Sequence, residues 1–317
     1  MSRDSVSIVV SAFNEEENIP ELYKQLKKVL QKLRIKKTEI IFVDDGSSDK
    51  TAEICLGLQK KDKRVHLLRL SRNFGHEIAM TAGMDYATGE AVIFMDADLQ
   101  HPPKYIPEMI SLWQKGSNVV LTRRLDNLEK KGIYRLCSKF FYWFLNMVSD
   151  VSIAPNTPDF RLLDREYIEF LKKFNEHDRL FRGMLSWIKP RDVAYVDFIA
   201  PNRFAGKTKY NFFKSLSLAV TSIIQFSVKP LYLSLVLAII TGVISLFFGV
   251  YVIVEYFLLS HRTPGYATIM TTIFFMSSLQ LFMFAILGAY IAKIHTEVKK
   301  RPLYCTLDSK KDKNDND

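Results

Sequence analysis

The sequence predicts an α/β protein: a mostly parallel sheet with helices on both faces, followed by a hairpin of two membrane-spanning helices. Three observations predict it. Short apolar runs alternate with amphipathic stretches through the first part of the chain, the pattern of a parallel sheet covered on both sides. Three of those runs end in polar clusters, Asn14-Glu15, Asp44-Asp45 and Asp96-Ala97-Asp98. Near the C-terminus, residues 231–254 and 265–292, about 24 and 28 in number, carry no charge, where ~20 apolar residues suffice to cross a bilayer.

Taken in order, residues 6–12 read as the first strand. Asn14 to Asn18 close it, and a helix follows over residues 20–33, with Leu22, Leu26, Val29, Leu30 and Leu33 on one side and lysines on the other. Pro20 suits its first turn. Residues 39–43 form the second strand, ended by the turn chemistry of Asp44-Asp45-Gly46-Ser47-Ser48-Asp49. A helix is expected over 51–58, a strand over 65–70, a helix over 79–86 and a strand over 91–95. Three strand ends with polar clusters point to one shared site, since ligands of such sheets sit at the carboxyl ends of the strands.

Asp96, Asp98 and Gln100 follow the last of these strands at alternate positions, so their oxygens can face one way. Carboxylate and amide oxygens suit a hard cation, Mg²⁺ or Mn²⁺, and a diphosphate would complete its shell. A merely acid-rich loop is the bland alternative. Arg69 and Arg72, beside the turn that leads to Gly75 and His76, are either surface charges or contacts for phosphate or loop.

The chain has 317 residues, 48% of them hydrophobic, and a net charge of +10 from 44 basic and 34 acidic side chains. Basic residues are scattered, with no nucleic-acid-binding motif. Cys55, Cys137 and Cys305 are far apart and form neither a metal-ligand pattern nor a disulfide framework, which fits a reducing compartment. The first residues lack the apolar core of a secretion signal, so the catalytic part is expected in the cytosol.

The motifs Ser7 to Ile19, Val43 to Thr51, Met95 to Pro103, Asp159-Phe160-Arg161-Leu162 and Arg203 to Tyr210 together resemble the family 2 glycosyltransferases. Within them the chain is most similar to the polyprenyl-phosphate hexosyltransferases, the dolichol-phosphate mannose synthase and bactoprenol glucosyltransferase type. The resemblance implies a GT-A (Rossmann-like) catalytic domain and metal-dependent, inverting transfer of a sugar from a nucleotide-sugar to a lipid phosphate. It implies that Ser11, Phe13, Glu15, Val43 and Asp45 line the nucleotide, and that Asp96 and Ala97 touch the sugar-diphosphate. Asp98 and Gln100, with Asp96, hold the metal; Arg123, Arg203 and Lys209 supply positive charge to the phosphates. Asp159 lies where the family has an acid near the acceptor. It acts as base or orients the acceptor with Arg161, the alternative being a structural ion pair. Ser11 stands where many members have proline and Phe13 where they often have tyrosine.

The expected organisation is a catalytic domain over 1–228, two transmembrane helices over about 231–256 and 265–292 within 229–298, and a charged cytosolic tail over 299–317. Residues 134–148 and 212–228 read as amphipathic helices at the bilayer interface, or for the first as a buried core helix. Lys229, Lys293, Lys299, Lys300 and Arg301 flank one side of the spans and only Arg262 and His261 the other. Both termini are therefore expected in the cytosol, with the protein multi-pass in the inner (plasma) membrane. The implied donors are UDP-glucose or UDP-GlcNAc, then GDP-mannose, and the acceptor is a polyprenyl phosphate, undecaprenyl phosphate first. A separate flippase and outer-face transferase are expected partners, nucleic acid is not, and homo-oligomerisation is open. Two rivals remain: a processive polysaccharide synthase, against which stand the missing Q-x-x-R-W pattern and the two spans, and an inactive membrane scaffold of the same fold.

Overall fold

The computed structural model describes residues 3–33, 35–125, 157–174, 176–177, 179, 181–201, 227–258 and 265–307. The chain divides into two units: residues 1–140, 152–209 and 301–317 form the first, residues 141–151 and 210–300 the second. The two sequence-predicted interfacial helices fall outside the described residues, apart from residues 227 and 228.

In the first unit, β1 (Ser5–Ala12), α1 (Ile19–Leu30), β2 (Lys37–Asp44), α2 (Thr51–Lys61), β3 (Val65–Arg69), α3 (His76–Tyr86) and β4 (Ala91–Asp96) alternate as the sequence predicts. A 3₁₀ turn (Pro103–Tyr105), α4 (Ile106–Gln114) and β5 (Val119–Arg124) follow; then come β6 (Arg161–Asp164), α5 (Arg165–Lys172), α6 (Phe181–Ile188) and β7 (Val193–Phe198). Among the described residues the sheet has seven strands in the order β3-β2-β1-β4-β6-β5-β7. All neighbours are parallel except β6, which runs antiparallel between β4 and β5.

The sheet's central strands are apolar throughout because helices cover both faces. On one side Ile8, Val10, Phe42 and Ile93 pack with Leu22 and Leu26 of α1 and Trp113 of α4. On the other, Val9, Val43 and Phe94 pack with α3, α5 and α6. Helix α1 forms because Ile19, Leu22, Leu26 and Leu30 recur at helical spacing, with proline in the first turn and Lys27 and Lys28 in the last. Helix α3 lies close against the strands: a Cβ on Gly83 would meet Val9 Cγ1 at 2.2 Å and Val43 Cγ2 at 3.0 Å.

Strand order reverses between β1 and β4, so a crevice opens beyond their carboxyl ends. Register places Ser11 opposite Asp96 there, and Ala12 opposite Asp44 on the other flank. The antiparallel β6 pairs Arg161 with Phe94, so the residues just before β6 arrive at that same end of the sheet.

Beyond Lys300 the chain pairs with the edge strand of this unit. Thr306 bridges Leu70 antiparallel, Ser71 N–H donates to Cys305 O (2.8 Å), and Leu307 N–H donates to Arg69 O (2.9 Å). Tyr304 hydroxyl donates to Asp85 Oδ2 (3.1 Å). This strap covers part of an edge that would otherwise offer unpaired backbone groups.

The second unit contains α7 (Lys229–Leu258) and α8 (Tyr266–Val298). Both are long and apolar enough to cross a membrane, with windows at Lys229–Val252 and Thr271–Val298. Their large side chains face outward, Phe247 at 72% and Phe274 at 69% exposure among them, an exposed apolar surface that fits membrane association. Tyr290 hydroxyl donates to Ser227 O (2.7 Å), tying α8 to the start of α7.

Candidate active site

The loops after β1 and β2 are knitted together by short polar side chains. Asn14, at φ 55°, donates its amide to Ser47 Oγ (2.9 Å), and its Oδ1 accepts from Ser48 N–H (2.9 Å). Glu15 N–H donates to Thr51 Oγ1 (2.8 Å), and its carboxylate accepts from Asn18 Nδ2. Phe13 is half exposed beside them, whereas the side chain of Val43 is fully buried. Val43 packs in the core between the sheet and α3.

Asp45 does more than the sequence shows. Buried at 3% exposure, it accepts from Phe74 N–H (2.7 Å) on one oxygen and Gly75 N–H (2.9 Å) on the other. Burial raises its pKa above the ordinary carboxylate range, and the two amides oppose that shift. Asp45 thus holds the turn at 72–75 that leads into α3. Gly46 lets that turn approach: at φ +69° it has no Cβ, and one would lie 2.5 Å from the backbone of Arg72.

The turn delivers His76, a residue sequence reasoning met only as the end of a glycine turn. Its Nδ1 lies 2.9 Å from Ser11 Oγ and 3.4 Å from Asp96 Oδ1, and its Nε2 lies 3.6 Å from Asp159 Oδ2. Burial works against charge on the ring; Asp96 and Asp159 outweigh it and push its pKa up to about 10. Neighbouring Glu77 accepts from Phe181 N–H (3.1 Å), and burial together with Asp159 raises its pKa.

Asp96 also receives a contact from Ser11 Oγ (3.3 Å). His101 Nδ1 accepts the Asp96 amide (3.0 Å), so its ring proton sits on Nε2; the 3.7 Å approach to Asp96 Oδ2 is therefore not an ion pair. The His101 ring is fixed by stacking on Phe160. Ala97 is buried and donates its amide to Ser11 O (3.2 Å). Asp98 Oδ1 accepts from Gln100 N–H (3.0 Å) across Leu99, which takes a left-handed φ of 61°. Among the described residues no three His, Cys, Asp or Glu side chains form a cation cage. The set here is two carboxylates and one amide, a donor chemistry that fits a hard cation shared with a diphosphate.

Asp159 and Arg161 are both buried and form an ion pair, Oδ1 to Nη2. With Oδ1 taken by Arg161 and Oδ2 facing His76, Asp159 is suited to orienting a partner more than to taking a proton. The ion pair expected as the structural alternative is present. Arg123 lies on the surface at the end of β5, pairs with Asp197 (2.8 Å) and stacks over Tyr195. Arg203 and Lys209 lie outside the described residues. A separate groove lined by Tyr167, Phe170, Phe174 and Trp187 opens beside Asn118 and Asp192, at the opposite ends of the strands.

The sheet is of the doubly wound α/β type and carries these acids at its switch point, where such sheets bind ligands. The family profile for glycosyl transferase family 2 matches residues 7–171. A bactoprenol glucosyl transferase of Shigella phage SfV is 37% identical over 306 residues, covering 96% of this chain and 99% of that one. A prophage bactoprenol glucosyl transferase homolog of Escherichia coli is 36% identical over 299 residues, 94% and 97% of the two chains. Among solved structures, glucosyl-3-phosphoglycerate synthase of Mycobacterium tuberculosis, in complex with Mn²⁺, UDP-glucose and phosphoglyceric acid, superposes with a TM-score of 0.50 at 14% identity. The match covers 70% of this chain and 78% of that one, and speaks for the fold alone. The chain belongs to glycosyl transferase family 2.

Proposed function

We propose that the protein transfers a hexose from a nucleoside-diphosphate donor to a polyprenyl phosphate at the cytoplasmic leaflet, glucose from UDP-glucose being the first candidate. The observation that carries the reading is similarity to bactoprenol glucosyl transferases along nearly the whole chain, the apolar helices included. UDP-GlcNAc and GDP-mannose are the next donors, because diphosphate and metal contacts are common to all three.

The acceptor phosphate has a second pKa near ~6, so one oxygen is already anionic at neutral pH. That oxygen attacks the anomeric carbon; the bond to the donor diphosphate breaks, its electron pair leaves with the nucleoside diphosphate, and the configuration inverts. No strong general base is needed, which agrees with the paired state of Asp159. Asp159 and Arg161 orient the acceptor, while Ser11 and Asp96 face the donor. Asp98, Gln100 and Asp96 would hold Mg²⁺ or Mn²⁺, which would supply Lewis-acid stabilisation to the leaving diphosphate. Arg203 and Lys209 add fixed positive charge, as does Arg123 once it leaves Asp197. Two crossings with both termini cytosolic would put the lipid-linked acceptor phosphate and the nucleotide-sugar on the same side of the membrane, and a separate flippase and outer-face transferase would use the product.

The test is a transfer assay on the full chain in membranes, with labelled UDP-glucose, UDP-GlcNAc and GDP-mannose, with and without undecaprenyl phosphate. A mild-acid-labile lipid monophosphate glucose is expected. Label in a polymer would favour the polysaccharide synthase, and no transfer with retained nucleotide binding would favour the scaffold.

A further inference from the structure

Three separate segments meet on the ring of His76. The end of β1 supplies Ser11, the end of β4 supplies Asp96, and the segment before β6 supplies Asp159. The ring is itself held: His76 opens α3 directly after Gly75, whose amide is fixed by the buried Asp45. In the function proposed above Asp96 belongs to the donor half of the site and Asp159 to the acceptor half. Asp96 closes β4 and Asp159 lies just before β6, so no covalent link keeps their spacing, and the ring of His76 bridges them at 3.4 Å and 3.6 Å.

We propose that His76 is a positioning residue, which fixes Asp96 and Asp159 relative to each other and so sets the distance between donor and acceptor. Ser11 is part of the device, because its hydroxyl holds Nδ1 and contacts the same Asp96 oxygen. A proline at position 11 would remove that hydroxyl. The inference rests on the function proposed above.

The experiment is a kinetic double-mutant cycle on the full chain in membranes, with UDP-glucose and undecaprenyl phosphate. The variants are His76→Gln, His76→Asn, Ser11→Ala and Ser11→Ala combined with His76→Gln. Thermal unfolding and the affinity for uridine diphosphate are measured alongside. Misalignment of reacting groups lowers turnover more than binding, so His76→Gln is expected to lower kcat by at least about tenfold. KM for the donor and the affinity for uridine diphosphate are expected to stay within about threefold. Both residues work through one ring, so the double variant is expected to lie within about twofold of His76→Gln. Should His76→Gln fail to fold, His76→Asn serves in the cycle. Near wild-type kcat in a folded His76 variant, losses that multiply in the double variant, or a loss confined to KM would each overturn the proposal. A wild-type chain that transfers no sugar to the lipid fails the reading of function and takes this inference with it.

Discussion

Asp98 and Asp45 are both acids at strand ends, yet their surroundings give them different work. Asp98 sits in a tight turn beyond β4 and is tied locally to the Gln100 amide. Its replacement by alanine removes a charged oxygen donor without opening the core. Transfer by Asp98→Ala is expected to fall to background while the unfolding temperature stays within about 2 °C, as for a surface substitution. Full activity in this variant, or of the wild type in excess chelator, would remove Asp98 from the site. Asp45 instead satisfies two backbone amides from a buried position. Asp45→Ala leaves both without an acceptor, so a loss of about 1–3 kcal/mol is expected, read by denaturant unfolding in detergent. Activity should fall with it, because the turn held by Asp45 presents His76.

At the scale of elements, the placement of α3 depends on Gly83 and that of β3 on Asp62. A Cβ at Gly83 would overlap Val9, so Gly83→Ala is expected to cost about 1–3 kcal/mol through overpacking. A melting temperature equal to wild type would show that the helix can retreat from the sheet. Asp62 caps the end of α2 and links three elements. It accepts from Arg64 Nε (3.0 Å) and Nη2 (2.7 Å) and from the Tyr23 hydroxyl (2.9 Å). The Arg64 guanidinium, against the opposing effect of burial, holds its carboxyl well below the usual range. The folded pKa is therefore the lower one. As pH falls below the unfolded value of ~3.9, the unfolded chain takes up a proton that the folded chain refuses, and stability declines. The stability gap between wild type and Asp62→Asn should be full near neutral pH and shrink as pH drops below about 4. A gap that does not change with pH would mean that the contact contributes through shape alone.

For the whole molecule, the strap after α8 constrains topology. Cys305, Thr306 and Leu307 pair with Arg69 to Ser71 at the end of β3, in the same unit as residues 1–125. If only one of α7 and α8 crossed a bilayer, Thr306 would lie on the far side from Leu70 and the pairing could not form. The pairing requires an even number of crossings, a constraint independent of the lysine and arginine distribution. A reporter inserted at His261 is expected to report the outside, and one fused after Asp317 the cytosol. Reporters that place these two positions on the same side would argue against the hairpin, and the opposite pattern would argue against access to cytosolic nucleotide-sugars.

The sequence by itself determined the first four strands, the three helices between them and the two apolar spans, because each follows from local periodicity or from length without charge. Strands β1 to β4 were legible as apolar runs with polar ends, and Asp96, Asp98 and Gln100 from alternate spacing at one such end. Tertiary structure alone decided which of these residues meet. Nothing local announces that β6 enters the sheet antiparallel, yet this brings Asp159, more than sixty residues beyond Asp96, to the carboxyl end of β4. His76 is a plain helix-start residue until Ser11, Asp96 and Asp159 surround it. Asp45 looks like a free ligand until the Phe74 and Gly75 amides arrive, and residues 301–307 look like a solvated tail until the edge of β3 offers them partners. Periodicity records what each segment buries. Which side chains converge is set by long-range strand pairing, and that leaves no mark on neighbouring positions in the chain.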